Sequence, residues 1–304
     1  MSVQVAMPGS CGELVQGVIN GINFHITCPI NRYSRITAMA TKDGSIKVPD
    51  GLDKTAAAVK KTLELMDISQ GVHIDIKSDL PLGKGMASST ADIAATVVAI
   101  SELFERSVSE KEIADIAISI EPTDGVFFDG IVAFDHLEGR MLDKIGNAPP
   151  LEIIVLEPAE SLDTVTFNQK KQRSVGAEEL LVKEAFEMAV QGIRSKDLRL
   201  VGEAATISST LNQRILKKHD LNDLIDICKR NGGLGVNVAH SGTVMGVLVD
   251  RGYGGRLLQK ILHYLPRQWN AYVVNLIDGG PILETRNLRL ETRKIFSSPL
   301  WERV

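Results

Sequence analysis

The spacing of hydrophobic and polar residues in the first half of the chain predicts short strands and three helices. Apolar positions alternate with polar ones in the strands and recur every three to four residues in the helices. The predicted strands are residues 3–7, 23–30, 34–40, 45–48, 71–77 and 130–134, and the predicted helices are residues 53–66, 88–104 and 109–121. The last of these helices begins with a predicted capping box, in which Ser109 is the cap and Glu112 reaches back to it. The first strands suggest an antiparallel meander, in which residues 8–17 are a candidate hairpin turn. The 88–104 helix is apolar on several faces, which predicts a buried position.

The second half begins after a Pro-Pro pair at 149–150, which is a candidate domain boundary. We therefore predict an N-terminal domain of residues 1–149 and a C-terminal domain of residues 150–304. The predicted elements beyond the boundary are strand 151–156, helices 176–194, 196–213 and 221–228, strands 234–239 and 244–249, helix 254–265 and strand 271–277. This order of strands and paired helices is typical of an α+β sandwich.

Composition narrows the class of protein. The 304 residues are 44% hydrophobic and 24% charged, which is typical of a globular protein with a sizeable core. A net charge of −4, no basic block and 5% aromatic residues argue against a nucleic-acid partner. Three cysteines without metal-site spacing, no signal peptide and no long apolar run predict a cytoplasmic protein that does not contact membranes. The sequence leaves the oligomeric state open, and a homodimer is compatible with it.

A glycine-rich stretch between a predicted strand and the 88–104 helix is the strongest chemical signal. It comprises Pro81, Leu82, Gly83, Lys84, Gly85, Met86, Ala87, Ser88, Ser89 and Thr90. Glycines let a backbone approach a bulky anion, and the first amides of a helix lack partners within it. The three hydroxyls can bind phosphate oxygens or a metal ion. A simple turn closed by a serine N-cap is the alternative.

Three common phosphate-binding motifs do not fit this stretch. The Walker A string GxxxxGK[ST] does not occur in the sequence. A dinucleotide-binding GxGxxG would need glycine where the chain has Ser88. The protein-kinase glycine loop would require HRD and DFG strings, and neither is present.

The stretch instead resembles the second motif, P-x-x-x-G-L-x-S-S-A, of the GHMP kinases, which include galactokinases, homoserine kinases and mevalonate kinases. The matches are Pro81, Gly85, Ser88 and Ser89, and the departures are Met86 for leucine and Thr90 for alanine. Residues 8–13 resemble the first motif of the family, and residues 239–246 resemble the glycine-rich third motif. The resemblance extends in the same order along most of the chain.

This resemblance implies an α+β fold with an N-terminal domain like domain 2 of ribosomal protein S5 and a ferredoxin-like C-terminal domain. ATP would lie between them, with its phosphates on residues 81–90 and beside Ser241 and Gly242. Ser89 and Glu121 would bind Mg²⁺, since residues 117–121 match an A-x-x-x-E string of mevalonate kinases.

Asp124 matches the aspartate that is proposed as the catalytic base of the family. Mevalonate kinases pair it with a lysine, whose place here is taken by Ser10. Homoserine kinases also lack that lysine, so Asp124 either removes the proton of the substrate hydroxyl or only orients that hydroxyl. Without the resemblance, Glu121 would be a helix-end residue and Asp124 an Asp-Gly turn. Lys84 either adds positive charge to the phosphate site or is an exposed loop lysine.

Residues 7–17, 121–124 and 239–243 resemble one branch of the family, the L-threonine kinases of cobalamin synthesis. This implies an enzyme that phosphorylates the side-chain hydroxyl of L-threonine. Another GHMP kinase, of homoserine or mevalonate type, and a non-catalytic ligand sensor are the alternatives.

A small zwitterion needs charged contacts, for which the candidates are Ser10, Glu13 and Arg32. A turn position for Glu13 and a strand-surface position for Arg32 are equally compatible with the sequence. His25 and His240 have no metal-ligand spacing and are expected to be structural.

Overall fold

A long antiparallel hairpin lies at the centre of the protein. The computed structural model describes residues 2–158, 177–265, 269–284 and 293–294. Strand β1 (Ser2–Ile19) pairs with β2 (Ile22–Thr41), and the two are joined by Asn20 and Gly21, both with positive φ. An Asn-Gly pair of this conformation matches the right-handed twist of the two strands.

The structure corrects three predictions that the sequence suggested for residues 8–48. Residues 8–17 are not a turn, because β1 continues through them with register shifts at Pro8/Gly9, Ser10/Glu13 and Glu13/Val15. Bulges of this kind absorb extra residues while the strand continues. Strand β2 likewise continues through residues 31–33, so the predicted strands 23–30 and 34–40 are two parts of one strand. The predicted strand 45–48 is reduced to a single bridge between Lys47 and His73.

Three helices and three strands complete the first half. They are α1 (Asp53–Leu65), β3 (Gly71–Ser78), α2 (Ser88–Leu103), α3 (Glu110–Ile118), β4 (Ile131–Asp135) and β5 (Arg140–Gly146). Every residue of α2 except Ser89 and Glu102 is buried, which confirms its predicted central position. The predicted capping box is also confirmed, because Ser109 and Glu112 each bond the backbone of the other. The sequence did not predict β5, whose first three residues are exposed and include both charged and apolar side chains.

The second half packs four helices against a further set of antiparallel strands. Its elements are β6 (Leu151–Glu157), α4 (Ala177–Ser195), α5 (Leu198–Asn212), α6 (Leu221–Arg230), β7 (Gly235–Val238), β8 (Met245–Asp250), α7 (Gly254–Ile261), β9 (Asn270–Asn275), β10 (Ile282–Glu284) and β11 (Arg293–Lys294). The predicted helix 254–265 ends at Ile261 and is followed by a short 3-10 turn. The sequence did not predict β10 and β11.

One sheet runs through both halves, in the order β5-β4-β2-β1-β7-β8-β6-β9. Strand β3 pairs with β2, β10 with β1, and β11 with β10. The halves meet where Glu13 of β1 pairs with Val238 of β7. The domain division at residues 149 and 150 stays a prediction. Within the described part of the chain, no helix has the length and apolar character needed to cross a bilayer.

Candidate active site

The three sequence segments that carried the resemblance meet around one cavity of about 390 Å³. The amides of Ser10 and Gly12 donate to the carbonyl oxygens of Met86 and Gly85, at 3.1 and 3.2 Å. The Val244 amide donates to the Lys84 carbonyl at 3.0 Å. Residues 81–90 are thus held between the first and third segments by backbone hydrogen bonds.

Two glycines make this close approach possible. Gly85 has a φ of +81°, and a Cβ there would lie 2.3 Å from the Ala239 Cβ. A Cβ on Gly242 would lie 2.2 Å from the Lys84 carbonyl oxygen. Real Cβ atoms do not approach other heavy atoms so closely, so a side chain at either position would push the two segments apart.

Helix α2 begins at the wall of the cavity. Its N-cap is Ala87, which has a left-handed φ of 53° and makes no side-chain cap hydrogen bond. The alternative of a turn closed by a serine cap is therefore not what forms here. Residues 87–90 line the cavity, so the first turn of α2, with its unpartnered amides and positive dipole end, lies beside it.

The two predicted metal ligands are in direct contact. The Ser89 hydroxyl donates to Oε1 of Glu121. The other carboxylate oxygen of Glu121 accepts a hydrogen bond of 2.6 Å from the Lys54 ammonium group. Lys54 was not predicted, because no local pattern marks a partner that lies 67 positions away in the chain.

A further carboxylate lies one helical turn after Ser89. Asp92 lines the cavity and accepts a hydrogen bond of 2.5 Å from the Ser34 hydroxyl. Burial raises the pKa of Asp92 to about 6, against the lowering effect of Ser34. The i, i+3 spacing from Ser89 on a helix that begins at the site was a signal that could have identified it.

Hydrogen bonds to its backbone amide and to its carboxylate hold Asp124 in place. Its amide donates to the Thr90 hydroxyl at 3.2 Å, and Thr90 contacts the Thr123 hydroxyl at 2.8 Å. The Gly125 amide donates to a carboxylate oxygen of Asp124 at 2.6 Å. Burial raises the pKa of Asp124 to about 6, while the Gly125 amide and the nearby Ser10 hydroxyl lower it. This carboxylate is mostly ionised at neutral pH and can accept a proton.

Glu13 forms the floor of the cavity at the junction of the two halves. Its Oε2 atom accepts a hydrogen bond of 2.6 Å from the His240 amide. Burial and the neighbouring Asp124 raise the pKa of Glu13 well above its ordinary range. Lys218 lies behind the floor and donates to the Ala239 carbonyl at 2.8 Å. Burial lowers the pKa of Lys218 to about 8, against the raising effect of Glu13.

Three histidines, His25, His136 and His240, lie beside Glu13 in the lining, and these four residues are the floor of the cavity. The sequence assigned His25 and His240 a structural role and did not single out His136. His25 comes from β2, His136 follows β4, and His240 belongs to the third segment. The rings of His25 and His136 stack with centroids 3.9 Å apart and planes 9° from parallel. Burial lowers the pKa of all three imidazoles, that of His136 to about 4. They are therefore neutral at physiological pH.

Most of the predicted site residues line the cavity, and four do not. Those in its lining are Ser10, Glu13, Leu82, Gly83, Gly85, Met86, Ala87, Ser88, Ser89, Thr90, Glu121, Asp124 and Ser241. Pro81 and Gly242 lie outside the lining, as do Lys84 and Arg32. The Lys84 ammonium donates to the Pro158 carbonyl at 2.6 Å, and the Arg32 guanidinium lies over the Tyr272 ring, 4.3 Å from its centroid.

Comparison with known protein families identifies the family of this chain. The sequence pattern of the GHMP kinases N terminal domain matches residues 52–133, and that of the GHMP kinases C terminal region matches residues 189–266. The chain belongs to the GHMP kinases. The membership confirms the predicted α+β kinase fold and the predicted class of enzyme, a kinase.

Two relatives of this GHMP kinase are named L-threonine kinase. The protein of Citrobacter freundii is 35% identical over 249 residues, which are 80% of this chain and 85% of the relative. The protein of Salmonella typhimurium is 32% identical over 289 residues, which are 91% of this chain and 94% of the relative. The crystal structure of homoserine kinase from Cytophaga hutchinsonii superposes with a TM-score of 0.72 at 18% identity, covering 93% of this chain and 97% of that one. At that identity, the last comparison establishes the fold alone.

Proposed function

We propose that this GHMP kinase transfers the terminal phosphoryl group of ATP to the side-chain hydroxyl of L-threonine and forms O-phospho-L-threonine. The observation that carries the proposal is the meeting of Ser89, Glu121 and Asp124 at one cavity bounded by the three family segments. The two relatives named L-threonine kinase, each matched over most of its length, supply the substrate.

The residues present fit a magnesium nucleotide. Ser89 and Glu121 offer the hard oxygen donors that Mg²⁺ prefers, and they already lie in contact. Gly83 and Gly85 present backbone without side chains to the cavity, beside the start of α2. Residues 83–90 and Ser241 would hold the phosphates, and Lys54 would add positive charge beside them. Bound MgATP would supply the phosphoryl group and neutralise part of its charge.

In this proposal, Asp124 binds the hydroxyl group of the substrate. The contacts of Thr90 and Gly125 fix its turn, so that the carboxylate is held in place before the substrate arrives. An ionised Asp124 can orient the hydroxyl and accept its proton as the oxygen attacks. Ser10 offers no positive charge to lower the pKa of Asp124 further, and burial keeps that pKa at about 6, within the range of a general base.

A catalytic role is favoured over the alternative of a ligand sensor. A protein that only senses ATP needs the phosphate-binding loop but not a buried carboxylate beside it. Here burial opposes the ionisation of both Asp124 and Glu13. Such groups cluster at sites where a charged substrate or a proton transfer gives them a purpose.

The wider context stays proposed as well. All three cysteines are buried and free, which supports a reducing, cytoplasmic environment. A place in cobalamin synthesis, a homodimer, the domain division at residues 149 and 150, a lack of membrane or nucleic-acid partners, and roles for Lys84 and Arg32 remain predictions from the sequence.

The test is an ADP-release assay with MgATP and L-threonine, L-serine, L-homoserine or mevalonate as the acceptor. We expect the highest kcat/KM with L-threonine and a phosphate ester of its hydroxyl in the ³¹P NMR spectrum. A higher kcat/KM with L-homoserine or mevalonate would replace the proposed substrate. Binding of ATP without ADP release from any of the four acceptors would favour the sensor.

A further inference from the structure

Unsatisfied polar atoms are concentrated at the floor of the cavity. Among the described residues, six buried side-chain oxygen and nitrogen atoms have no hydrogen-bond partner, and they belong to Ser10, His25 with both its ring nitrogens, His136, Asn212 and Asn237. Three of the six are ring nitrogens of His25 and His136, which line the cavity, and the Ser10 hydroxyl, which lies near the Asp124 carboxylate, lines it as well. Because proteins rarely leave buried polar groups unpaired, such a cluster in a cavity indicates a site for a polar ligand.

The charges around this cluster favour a cation. Glu13 and Asp124 lie beside the histidines, and Oε1 of Glu13 is 3.7 Å from Nδ1 of His25. Lys54 is the one lysine or arginine among the described lining residues, and it is bonded to Glu121. A neutral imidazole has one nitrogen that accepts a hydrogen bond, so His25 and His136 can each serve a positively charged donor.

The ring geometry distinguishes an ammonium group from a metal ion. Ligand atoms of His25, His136 and His240 lie within 4.8 Å of one another, which by distance alone would allow a metal. A histidine binds a metal at about 2.0–2.1 Å along its nitrogen lone pair, which lies in the plane of the ring. The nearly parallel planes of His25 and His136 do not meet at such a point. Hydrogen bonds are longer and tolerate wider angles.

We propose that Glu13, His25 and His136 bind the primary ammonium group of a 2-amino alcohol substrate and thereby select hydroxyamino acids over other alcohols. This inference rests on the proposed function, because it specifies the site next to Asp124. In L-threonine the ammonium and hydroxyl groups are on neighbouring carbons. Asp124 lines the same cavity as Glu13, His25 and His136, so a hydroxyl bound to Asp124 places the ammonium in the part of the cavity that these residues share.

The test compares His25→Leu with His73→Leu, a matched control on β3 whose side chain is 42% exposed and lies outside the lining of the cavity. Calorimetry with a non-hydrolysable ATP analogue and Mg²⁺ measures the affinity for L-threonine, for 1-amino-2-propanol, which lacks the carboxylate, and for 3-hydroxybutanoate, which lacks the ammonium.

We expect His25→Leu to lose about 10- to 100-fold in affinity for both amines, the range of a hydrogen bond to a charged group. Its affinity for 3-hydroxybutanoate should stay within about twofold of the wild type, where it is measurable, because that ligand cannot use the ammonium site. His136→Leu should show the same pattern, and His73→Leu should match the wild type. An equal loss for all three ligands, or no loss, would overturn the proposal.

Two further readouts keep the test independent of folding and of turnover. Because the ring nitrogens of His25 are unpaired, His25→Leu should leave the thermal midpoint of the ligand-free protein unchanged or raised. A fall would indicate a structural role instead. Binding of one Zn²⁺ or Co²⁺ per chain that is lost in His25→Leu would make the cluster a metal site. If the wild type binds L-threonine but phosphorylates no acceptor, the proposed function fails while the ammonium site stands.

Discussion

The two ends of the cavity differ in how their polar groups are satisfied. At the end where helix α2 begins, here called the α2 end, Ser89 and Lys54 each donate a hydrogen bond to one carboxylate oxygen of Glu121. At the floor, His25 and His136 have ring nitrogens without partners among the described residues. Both ends are lined by carboxylates, yet among the described residues only the α2 end has a lysine in the lining of the cavity, because Lys218 lies behind the floor and donates to the Ala239 carbonyl.

This difference separates two kinds of binding. A magnesium nucleotide at the α2 end would exchange existing contacts, because Glu121 would have to share its oxygens between the metal and Lys54. A substrate at the floor would form contacts that the free protein lacks. Changes at the α2 end should therefore alter the metal requirement, whereas changes at the floor should alter substrate affinity. Asp124 lies between the two ends and should govern the rate.

The largest effect is expected for Asp124→Asn. We expect kcat to fall by at least about 100-fold, because a general base contributes roughly 10²- to 10⁴-fold. ATP affinity, measured by calorimetry, should change little. Near-normal turnover would remove Asp124 from the mechanism, and Asp75→Asn, at an exposed position on β3, is the control.

The pH dependence provides a second test of Asp124. Its pKa of about 6 lies above the ordinary value of 3.8, so the folded protein holds this proton more tightly than the unfolded chain does. Stability therefore falls as the pH rises from about 4 to 6, and Asp124→Asn should be more stable at pH 7 by about 1–3 kcal/mol. In the wild type, kcat/KM should fall as the pH drops below about 6. Ser10, Gly125 and Glu13 are the groups that face this carboxylate. A rate independent of pH between 5 and 7 would contradict its role as the base.

A smaller effect is expected for Glu121→Gln at the α2 end. The amide keeps an oxygen for Ser89 but removes the negative charge that Mg²⁺ and Lys54 share. We expect the Mg²⁺ concentration for half-maximal rate to rise by about 10-fold, since ligand charge sets the affinity of such sites. The KM for L-threonine should stay near that of the wild type. The exposed Glu64 on α1 offers the matched control Glu64→Gln, and an unchanged metal titration in Glu121→Gln would argue against the proposed metal site.

The smallest effect is expected from a pair of glycine substitutions. Gly85 and Gly44 both have positive φ, but a Cβ on Gly44 would meet nothing within 4 Å. Both alanine variants carry the backbone strain, about 1–2 kcal/mol. We expect Gly85→Ala to lose about 1 kcal/mol or more beyond that in urea unfolding, because its Cβ would collide with Ala239. Equal losses in the two variants would show that the close packing of the segments contributes nothing.

The glycine-rich stretch with Ser89 was visible as a local sequence pattern, because it joins a predicted strand to an apolar helix. Glu121 and Asp124 were singled out only by the resemblance to the GHMP kinases, since their local patterns are those of a helix end and an Asp-Gly turn. Lys54 carried no comparable signal, because its partner is fixed by packing between helices rather than by spacing. The sequence also did not predict that the three histidines meet, because each ring comes from a different part of the chain and His25 and His240 have no metal-ligand spacing.

The same reasoning explains the outcome for the fold. The buried helix α2 and the capping box of α3 follow from local periodicity and hydrogen bonding, and both are confirmed. The bulges of β1 could not be predicted from the local sequence, because the glycine and proline residues at 8–12 are also typical of a turn. Whether such a segment turns or continues is decided by its pairing with β2 and β7, which is not visible in the local sequence. Strand β5 mixes apolar and charged residues on both of its faces, so it showed no alternation and resembled a loop.

The register shift of β1 at Glu13 has a consequence for redesign. This residue contributes its backbone to the pairing with Val238 and its carboxylate to the cavity floor. The backbone pairing that joins the two halves of the molecule therefore also forms part of the cavity floor. A chimaera that replaced the chain after residue 150 with that of a relative would change both the pairing and the floor. Modular exchange of the halves would alter substrate choice even if every residue of the first half were kept.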